Sequence, residues 1–288
     1  MTLVRQKSNT TMKDMLGNFL RVTPSFRGKW RLREMWQRTV ADGDHRIARL
    51  PDGSILKVQL DVPYEQMVWL QDEEWDELRY IQNKLRPGDV FIDVGANIGL
   101  WTLVAATSVG PSGRVFSFEP NPTTFNRLSE NIRLNGKASR VEAFSKAVSA
   151  DERVVSFVCE RQHNLSAISS SGSDDPRTQR VPTLALDSLL ANELVASRLA
   201  GIKLDTEGHE LEALHGASGL IEERWPWIIV EFNTTLLASD ALGDWPVYRF
   251  LAAKRYGPFV YDKRGNETEI GGSFSLHGYR NILFVRNN

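Results

Sequence analysis

The chain has 288 residues, 41% of them hydrophobic and 25% charged, with a formal net charge of −1. Those proportions suit a soluble globular protein with one large domain, or one domain and an appendage, and exclude a collagenous or fully disordered chain. The charge is uneven: residues 1–50 carry 11 Lys/Arg against 4 Asp/Glu, a local +7. Such a segment can meet nucleic acid, an anionic membrane surface or an anionic glycan, or be a solvated arm. Cys159 is the only cysteine, which leaves no disulfide framework and no thiolate metal cluster. The opening "MTLVRQKSNTTMKDMLGNFL" lacks an apolar signal core, and no apolar run approaches membrane-spanning length. A reduced, cytoplasmic protein with no membrane span is expected.

Residues 1–70 read as an irregular N-terminal segment, except that "HRIARLPDGSILKVQLD" alternates around Pro51-Asp52-Gly53 and predicts a hairpin. Residues 71–288 form the expected main domain. "DEEWDELRYIQNKLR" sets Leu78, Ile81 and Leu85 on one helical face and stops at Pro87-Gly88. Then "DVFIDV" predicts a buried strand, with a helix over 98–108 after a glycine turn. Strand "RVFSFEP" and a helix over 122–135 follow, with Phe125, Leu128 and Ile132 in register. "VEAFSKAVS" and "RVVSFVC" read as strands, and "SSSGSDDPRTQ" as an exposed loop. After "LALDSLL" come strand "GIKLD", one helix "ELEALHGASGLIEER", and strand "PWIIVEF". A helical stretch near 244–255 precedes strands "PFVYD" and "RNILFVR", which look like a hairpin adding an antiparallel strand at one edge. Strands alternating with helix-length connections predict an α/β fold with a mostly parallel sheet.

In such a sheet ligands sit beyond the carboxyl ends of the strands. The residues predicted there are Asp93, Glu119, Ser145 with Lys146, Asp205 with Glu207, and Glu231 with Asn233. Converging carboxylates repel unless a cationic ligand, hydrogen-bond donors or a metal compensates. Glu119 lies 24 residues after Gly95, at a strand end where an acid accepts hydrogen bonds from an adenosine ribose. Nicotinamide and S-adenosyl-L-methionine binders share that spacing. The turn separates them, because Gly95-Ala96-Asn97-Ile98-Gly99 lacks the middle glycine of a pyrophosphate-binding loop. Asp93 would oppose a pyrophosphate and suits an ammonium or sulfonium. A tight turn and a glycine packing contact remain competing explanations of Gly95 and Gly99.

"FIDVGANIGLWTL", "VFSFEPNP", "LDSLL", "IKLDTEGHELEALHGA" and "IIVEFN" together resemble the FkbM-type S-adenosylmethionine-dependent methyltransferases, over roughly residues 50–288. The resemblance implies a class I, Rossmann-like, seven-stranded sheet whose seventh strand runs antiparallel between the fifth and sixth. It implies S-adenosyl-L-methionine as cofactor and a hydroxyl of a sugar, glycan or polyketide-like metabolite as acceptor. Asp93, Gly95, Asn97 and Gly99 would line the methionine moiety, Glu119 and Asn121 the ribose, and Ser145, Lys146 and Ala147 the adenine. His209 stands where the family often has a small residue.

For the chemistry, Asp205 is the first choice for positioning or deprotonating the acceptor, with capping of the following helix as the plain alternative. Glu207 either caps that helix or orients Asp205. His209 is the nearest imidazole, the group suited to moving protons near neutral pH. Lys203 pairs with Asp205 or Glu231, as part of the site or as a plain salt bridge. His163 and Asn164 flank the 169–178 loop, which reads as a lid. Trp69, Trp75 and Trp101 either wall an acceptor pocket or fill the core. Oxygen ligands at Asp205, Glu231 and a neighbour would suit Mg²⁺, yet no metal is assigned.

Other chemistries lack their residues. No (Asp/Asn)-Pro-Pro-(Tyr/Phe) and no Pro-Cys pair is present, and Glu231-Phe232-Asn233 stands where a ribose methyltransferase needs lysine. No nucleic-acid partner is expected. The competing functions are methylation of a polyketide or peptide metabolite, a nicotinamide-dependent oxidoreductase, and a non-catalytic adenosyl-binding module.

Overall fold

The computed structural model describes residues 12–23, 27–71, 75–159, 167–168, 176–190, 198–237, 239–262 and 264–287. The chain divides into two compact units, residues 1–49 with 57–75, and residues 50–56 with 76–288.

The first unit is more regular than its sequence pattern suggests. It contains helices α1 (Met12–Val22) and α2 (Lys29–Gln37), strand β1 (His45–Arg49), most of strand β2 (Ile55–Gln59), and α3 (Pro63–Leu70). The helices escape a search for apolar periodicity because their cohesion comes from a few large contacts. Trp36 stacks on Trp69 at 5.5 Å, and its indole lies where a Cβ on Gly17 would sit, at 2.8 Å. Trp36 also donates to the Lys13 carbonyl at 3.0 Å. β1 and β2 form the predicted hairpin sheet.

The second unit holds α4 (Trp75–Lys84), β3 (Val90–Val94), α5 (Leu100–Ser108), β4 (Arg114–Phe118), α6 (Pro122–Leu134) and β5 (Val141–Phe144). Next come β6 (Ala147–Val148), β7 (Val154–Val158), β8 (Ala167–Ile168), β9 (Thr178–Leu184), α7 (Leu186–Leu190) and β10 (Leu199–Leu204). The chain continues with α8 (Glu210–His215), α9 (Ser218–Arg224), β11 (Trp227–Asn233), α10 (Pro246–Ala253), β12 (Tyr256–Tyr261), β13 (Glu267–Glu269) and β14 (Tyr279–Arg286). The main sheet has the order β13-β12-β14-β11-β10-β3-β4-β5. β3, β4, β5, β10 and β11 are parallel, and β14 runs antiparallel between β11 and β12. This is a class I, Rossmann-like methyltransferase sheet with one added edge strand. Its core includes Phe116, Phe118, Phe232 and Phe284, each at most 1% exposed and contributing about 1.5–3 kcal/mol by burial.

Four local expectations are corrected. β12 and β14 pair antiparallel as expected, but β14 is interior and not at an edge; the edge is the short β13, which also pairs with β12 and whose Glu-Thr-Glu sequence carries no apolar signal. "VEAFSKAVS" breaks after Phe144, and its second half joins another sheet, β6-β9-β7-β8. The end of the expected loop "SSSGSDDPRTQ" enters β9 at Thr178, while 169–175 lie outside the described residues. The expected single helix "ELEALHGASGLIEER" is two, α8 and α9. A Cβ on Gly216 would stand 2.0 Å from the Ser149 carbonyl, so the chain turns there. Asp187 of "LDSLL" then caps α9, accepting from Gly219 and Leu220 N–H at 2.8 and 2.9 Å.

Candidate active site

Strand register builds the site. Asp93 on β3 lies directly across from Lys203 on β10 and Ser117 on β4, at the carboxyl rim of the sheet. Asp93 is fully buried. Its Oδ2 accepts from the Thr102 hydroxyl at 2.6 Å, and Thr102 meets Ser117 Oγ at 2.9 Å. Its Oδ1 is buried without a hydrogen-bond partner. Burial pushes the Asp93 pKa up, against the pull of Lys203 and Thr102.

The turn after β3 is fixed by left-handed conformations at Gly95 (φ 78), Asn97 (φ 50) and Gly99 (φ 101). Packing demands the glycines as well: a Cβ on Gly95 would stand 1.8 Å from the Asp205 carbonyl, and one on Gly99 2.8 Å from Leu128 Cδ1. The turn is therefore no phosphate cradle. Gly95 and Ala96 N–H both donate to the Phe118 carbonyl, at 3.0 and 2.9 Å, and Gly99 N–H to that of Ala96 at 2.9 Å. Asn97 N–H donates to Glu119 Oε2 at 2.9 Å, while the Asn97 side-chain oxygen is buried and unpartnered. These four amides are committed to protein acceptors and a carboxylate and are not offered to a pyrophosphate.

Glu119, 6% exposed, is clamped from both sides, its Oε1 accepting from Asn121 N–H at 2.8 Å. Each carboxylate oxygen keeps a lone pair for another donor. Burial pushes Glu119 up to about 7, against its backbone hydrogen bonds and Lys203. Asn121 spends its side-chain oxygen capping α6, accepting from Thr123 and Thr124 N–H at 3.0 and 3.4 Å. Ser145 and Lys146 are half-buried in the link between β5 and β6, and Ala147 is buried in β6 opposite Thr183.

The segment after β10 differs from a simple helix cap. Asp205 Oδ2 accepts from the Lys203 ammonium at 3.0 Å, and its carboxylate caps no helix. The cap-like role belongs to Glu210, absent from the sequence-based set. Its Oε1 accepts from Thr206 N–H, Thr206 Oγ1 and Gly208 N–H at 3.0, 3.1 and 3.1 Å. The only hint of this was an acid in the first helical turn after a glycine. This clamp holds Glu207 in the left-handed region (φ 52), a conformation costing a non-glycine residue about 1–2 kcal/mol. Glu207 is half-buried and accepts no hydrogen bond among the described residues. Burial, with Asp205 and Glu210 beside it, raises it to about 8. His209 is half-buried ahead of α8, with Nδ1 buried and unpartnered.

Asp205, Glu207 and Glu231 offer oxygens within 4.8 Å of one another. Asp205 already has the Lys203 ammonium as counter-charge, and no metal is assigned. The ammonium lies 5.4 Å from the centre of the Trp101 ring, which is buried beneath it rather than open as a pocket wall. Trp69 belongs to the first unit and stacks on Trp36. His163 and Asn164 lie outside the described residues.

The methyltransferase FkbM domain model matches residues 93–249, more than half of the chain. The chain belongs to the FkbM family of S-adenosylmethionine-dependent methyltransferases. This FkbM-family chain is 30% identical to the hexuronic acid methyltransferase AglP of Haloferax volcanii over 171 residues, 58% of this chain and 65% of AglP. It is 29% identical to the 31-O-demethyl-FK506 methyltransferase FkbM of Streptomyces tacrolimicus, over 80% of this chain and 87% of that one. A solved structure of an FkbM methyltransferase from Methylobacillus flagellatus aligns at 17% identity and TM-score 0.44, covering 77% of this chain and 54% of that one. The match to AglP thus spans just under two thirds of that relative's length. Among the described residues, no helix is long and apolar enough to cross a membrane.

Proposed function

We propose that the chain transfers a methyl group from S-adenosyl-L-methionine to a hydroxyl of a sugar, glycan or related metabolite. One observation carries this reading. Four carboxylates, Asp93, Glu119, Asp205 and Glu207, interact at the rim with a single buried ammonium, that of Lys203. Asp93 and Glu119 are buried and Asp205 and Glu207 half-buried, and such an excess of carboxylates over cations is complementary to a cationic ligand. The orphaned oxygens of Asp93 and Asn97 and the spare lone pairs of Glu119 supply acceptors for an ammonium and for ribose hydroxyls. In this reading Asp93, Gly95, Asn97 and Gly99 back the methionine moiety, Glu119 and Asn121 hold the ribose, and Ser145, Lys146 and Ala147 border the adenine.

The cofactor supplies an electrophilic methyl group on a positively charged sulfur. The acceptor oxygen bonds to that carbon as the carbon–sulfur bond breaks, the sulfur keeps the electron pair, and the hydroxyl proton must leave. Glu207 is the better base, because a pKa near the working pH favours proton abstraction and its carboxylate has no competing hydrogen bond. Asp205, held by Lys203, orients the acceptor, and His209 stands next along the chain. A sugar-like acceptor is supported by the relative named for a hexuronic acid, and oxygen as the methylated atom by the relative named for a 31-O position.

Calorimetry should show binding of S-adenosylmethionine and none of NAD(H); preference for the nicotinamide would end this reading. Mass spectrometry of glycan and metabolite pools treated with the protein should then show one species heavier by one methyl group.

A further inference from the structure

The N-terminal unit carries an apolar surface made of none of the rim residues described above. On α1, Met12, Met15, Phe19 and Val22 follow a three-four-three spacing, which lines them along one face of the helix. They are 86%, 64%, 47% and 71% exposed. The other face is already occupied. Leu20 is fully buried, Gly17 lies against Trp36, Lys13 pairs with Asp44, and Arg21 sits 5.3 Å over the Trp69 ring. The helix thus packs Leu20, Gly17 and the stems of Lys13 and Arg21 inward and still presents a second, apolar face outward, which an ordinary surface helix keeps polar. α2 adds Trp30 and Met35, 58% and 59% exposed, with Arg31 stacked 5.2 Å over Trp30. Six of the eleven exposed large hydrophobics of the described chain are thus confined to two short helices, a clustering that marks a contact surface.

We propose that this unit docks on an anionic lipid surface, with α1 lying in the interface. Charge selects the partner. Residues 1–50 carry +7, the unit as a whole keeps a net +3 once the acids of 57–75 are counted, and Arg27, Arg31 and Arg38, within or next to α2, are exposed. A second copy would bring the same positive charge against it. Nucleic acid would satisfy the arginines and leave the methionines and Val22 against phosphate. A bilayer with anionic headgroups accepts both, taking the apolar stripe below the headgroups and the arginines among them. Trp30 suits that boundary, where indoles concentrate. The 11 residues of α1 measure about 16 Å, half a hydrocarbon core, so the helix rests on the membrane and does not span it.

The test is flotation of the full chain with vesicles of equal parts phosphatidylcholine and phosphatidylglycerol, and with phosphatidylcholine alone. Binding is expected to the anionic vesicles only, and to weaken as salt rises. Met15→Glu with Val22→Glu should weaken it at least tenfold, and Arg27→Gln with Arg31→Gln on the order of tenfold. These positions are exposed, so circular dichroism and melting temperature should not change. No binding to anionic vesicles, or equal binding by the Met15→Glu/Val22→Glu variant, overturns the proposal. A dimer in sedimentation that this variant disperses would overturn it in favour of a second copy of the chain.

Discussion

Among the described residues two lysines are buried in the second unit, and their surroundings are opposite. Lys137, at the end of α6, points its ammonium at the hairpin turn. It pairs with Asp52 at 3.2 Å, donates to the Leu103 carbonyl at 2.8 Å, and reaches the hydroxyls of Ser54 and Thr107. Nearby, Asn135 accepts from Ile55 N–H at 2.8 Å and donates to its carbonyl at 2.7 Å, fixing the same turn. One buried cation pairs with one buried anion there, with Arg140 near enough to be felt by Lys137. Burial alone would raise Asp52, yet hydrogen bonds from Ser54 and Thr107 and the charge of Lys137 bring it below the ordinary value. Lys203 meets several acids, and burial drives Asp93, Glu119 and Glu207 upward despite it. The balanced site is a clasp. The unbalanced one stores the demand for a cation that a binding site needs.

The largest effect should come from the unbalanced site. Glu207→Gln keeps shape and removes the proposed base, so turnover should fall by about 10²–10⁴ with cofactor affinity nearly intact. Asp205→Asn removes one charged partner of Lys203 but leaves that base, and should cost less. If Asp205→Asn is the more damaging in single-turnover assays, the two roles are exchanged. At the balanced site the expected effect is on stability alone. Asp52→Ala leaves the Lys137 ammonium buried without its counter-charge and should cost about 3 kcal/mol in urea unfolding. A cost below about 1 kcal/mol, the range of a surface pair, would show that the turn is not a clasp.

The contrast also shows what the sequence could and could not announce. Strand ends and glycine spacing located Asp93, Glu119 and Asp205, since a parallel sheet sends all its carboxyl ends to one rim. The lysine's partner depended on register: Lys203 falls opposite Asp93 and beside Asp205, and no spacing rule distinguishes Asp205 from Glu231. The Asp52–Lys137 pair joins residues 85 apart in the chain, and Pro-Asp-Gly reads only as a turn. Glu210 looked like one more helix acid until its carboxylate was seen to hold the backbone that aims Glu207. The α1 and α2 helices were missed because apolar periodicity is sought facing a core, and part of theirs faces out. Gly95 and Gly99 answer to both explanations first considered, a left-handed turn and close packing.

The remaining effect is the most diagnostic, because the two sites tilt stability in opposite pH windows. A carboxylate whose folded pKa lies above its unfolded value binds protons more tightly in the native state. Its stabilisation is complete below the unfolded pKa and is lost as pH rises through the folded one. Glu119 rises from 4.5 to about 7 and Glu207 from 4.5 to about 8, so both weaken the cofactor-free protein across the neutral range. Asp52 has the opposite sign. Its contribution is present above 3.8 and is lost only in acid, as pH falls through its lowered folded value. Unfolding free energy without cofactor should therefore fall from pH 4.5 upward, with on the order of 4 kcal/mol of that fall between pH 6 and 8.5. Glu207→Gln should flatten the upper part of that fall, since Glu207 has no hydrogen bond to lose. S-adenosylmethionine, being cationic at sulfur, should flatten it more than neutral S-adenosylhomocysteine does, and its own affinity should rise over the same interval. Stability that is level or rising from pH 6 to 8.5 would mean the rim carboxylates are already balanced. The rim would then be a second clasp, and the charge argument for a cationic ligand would fail with it.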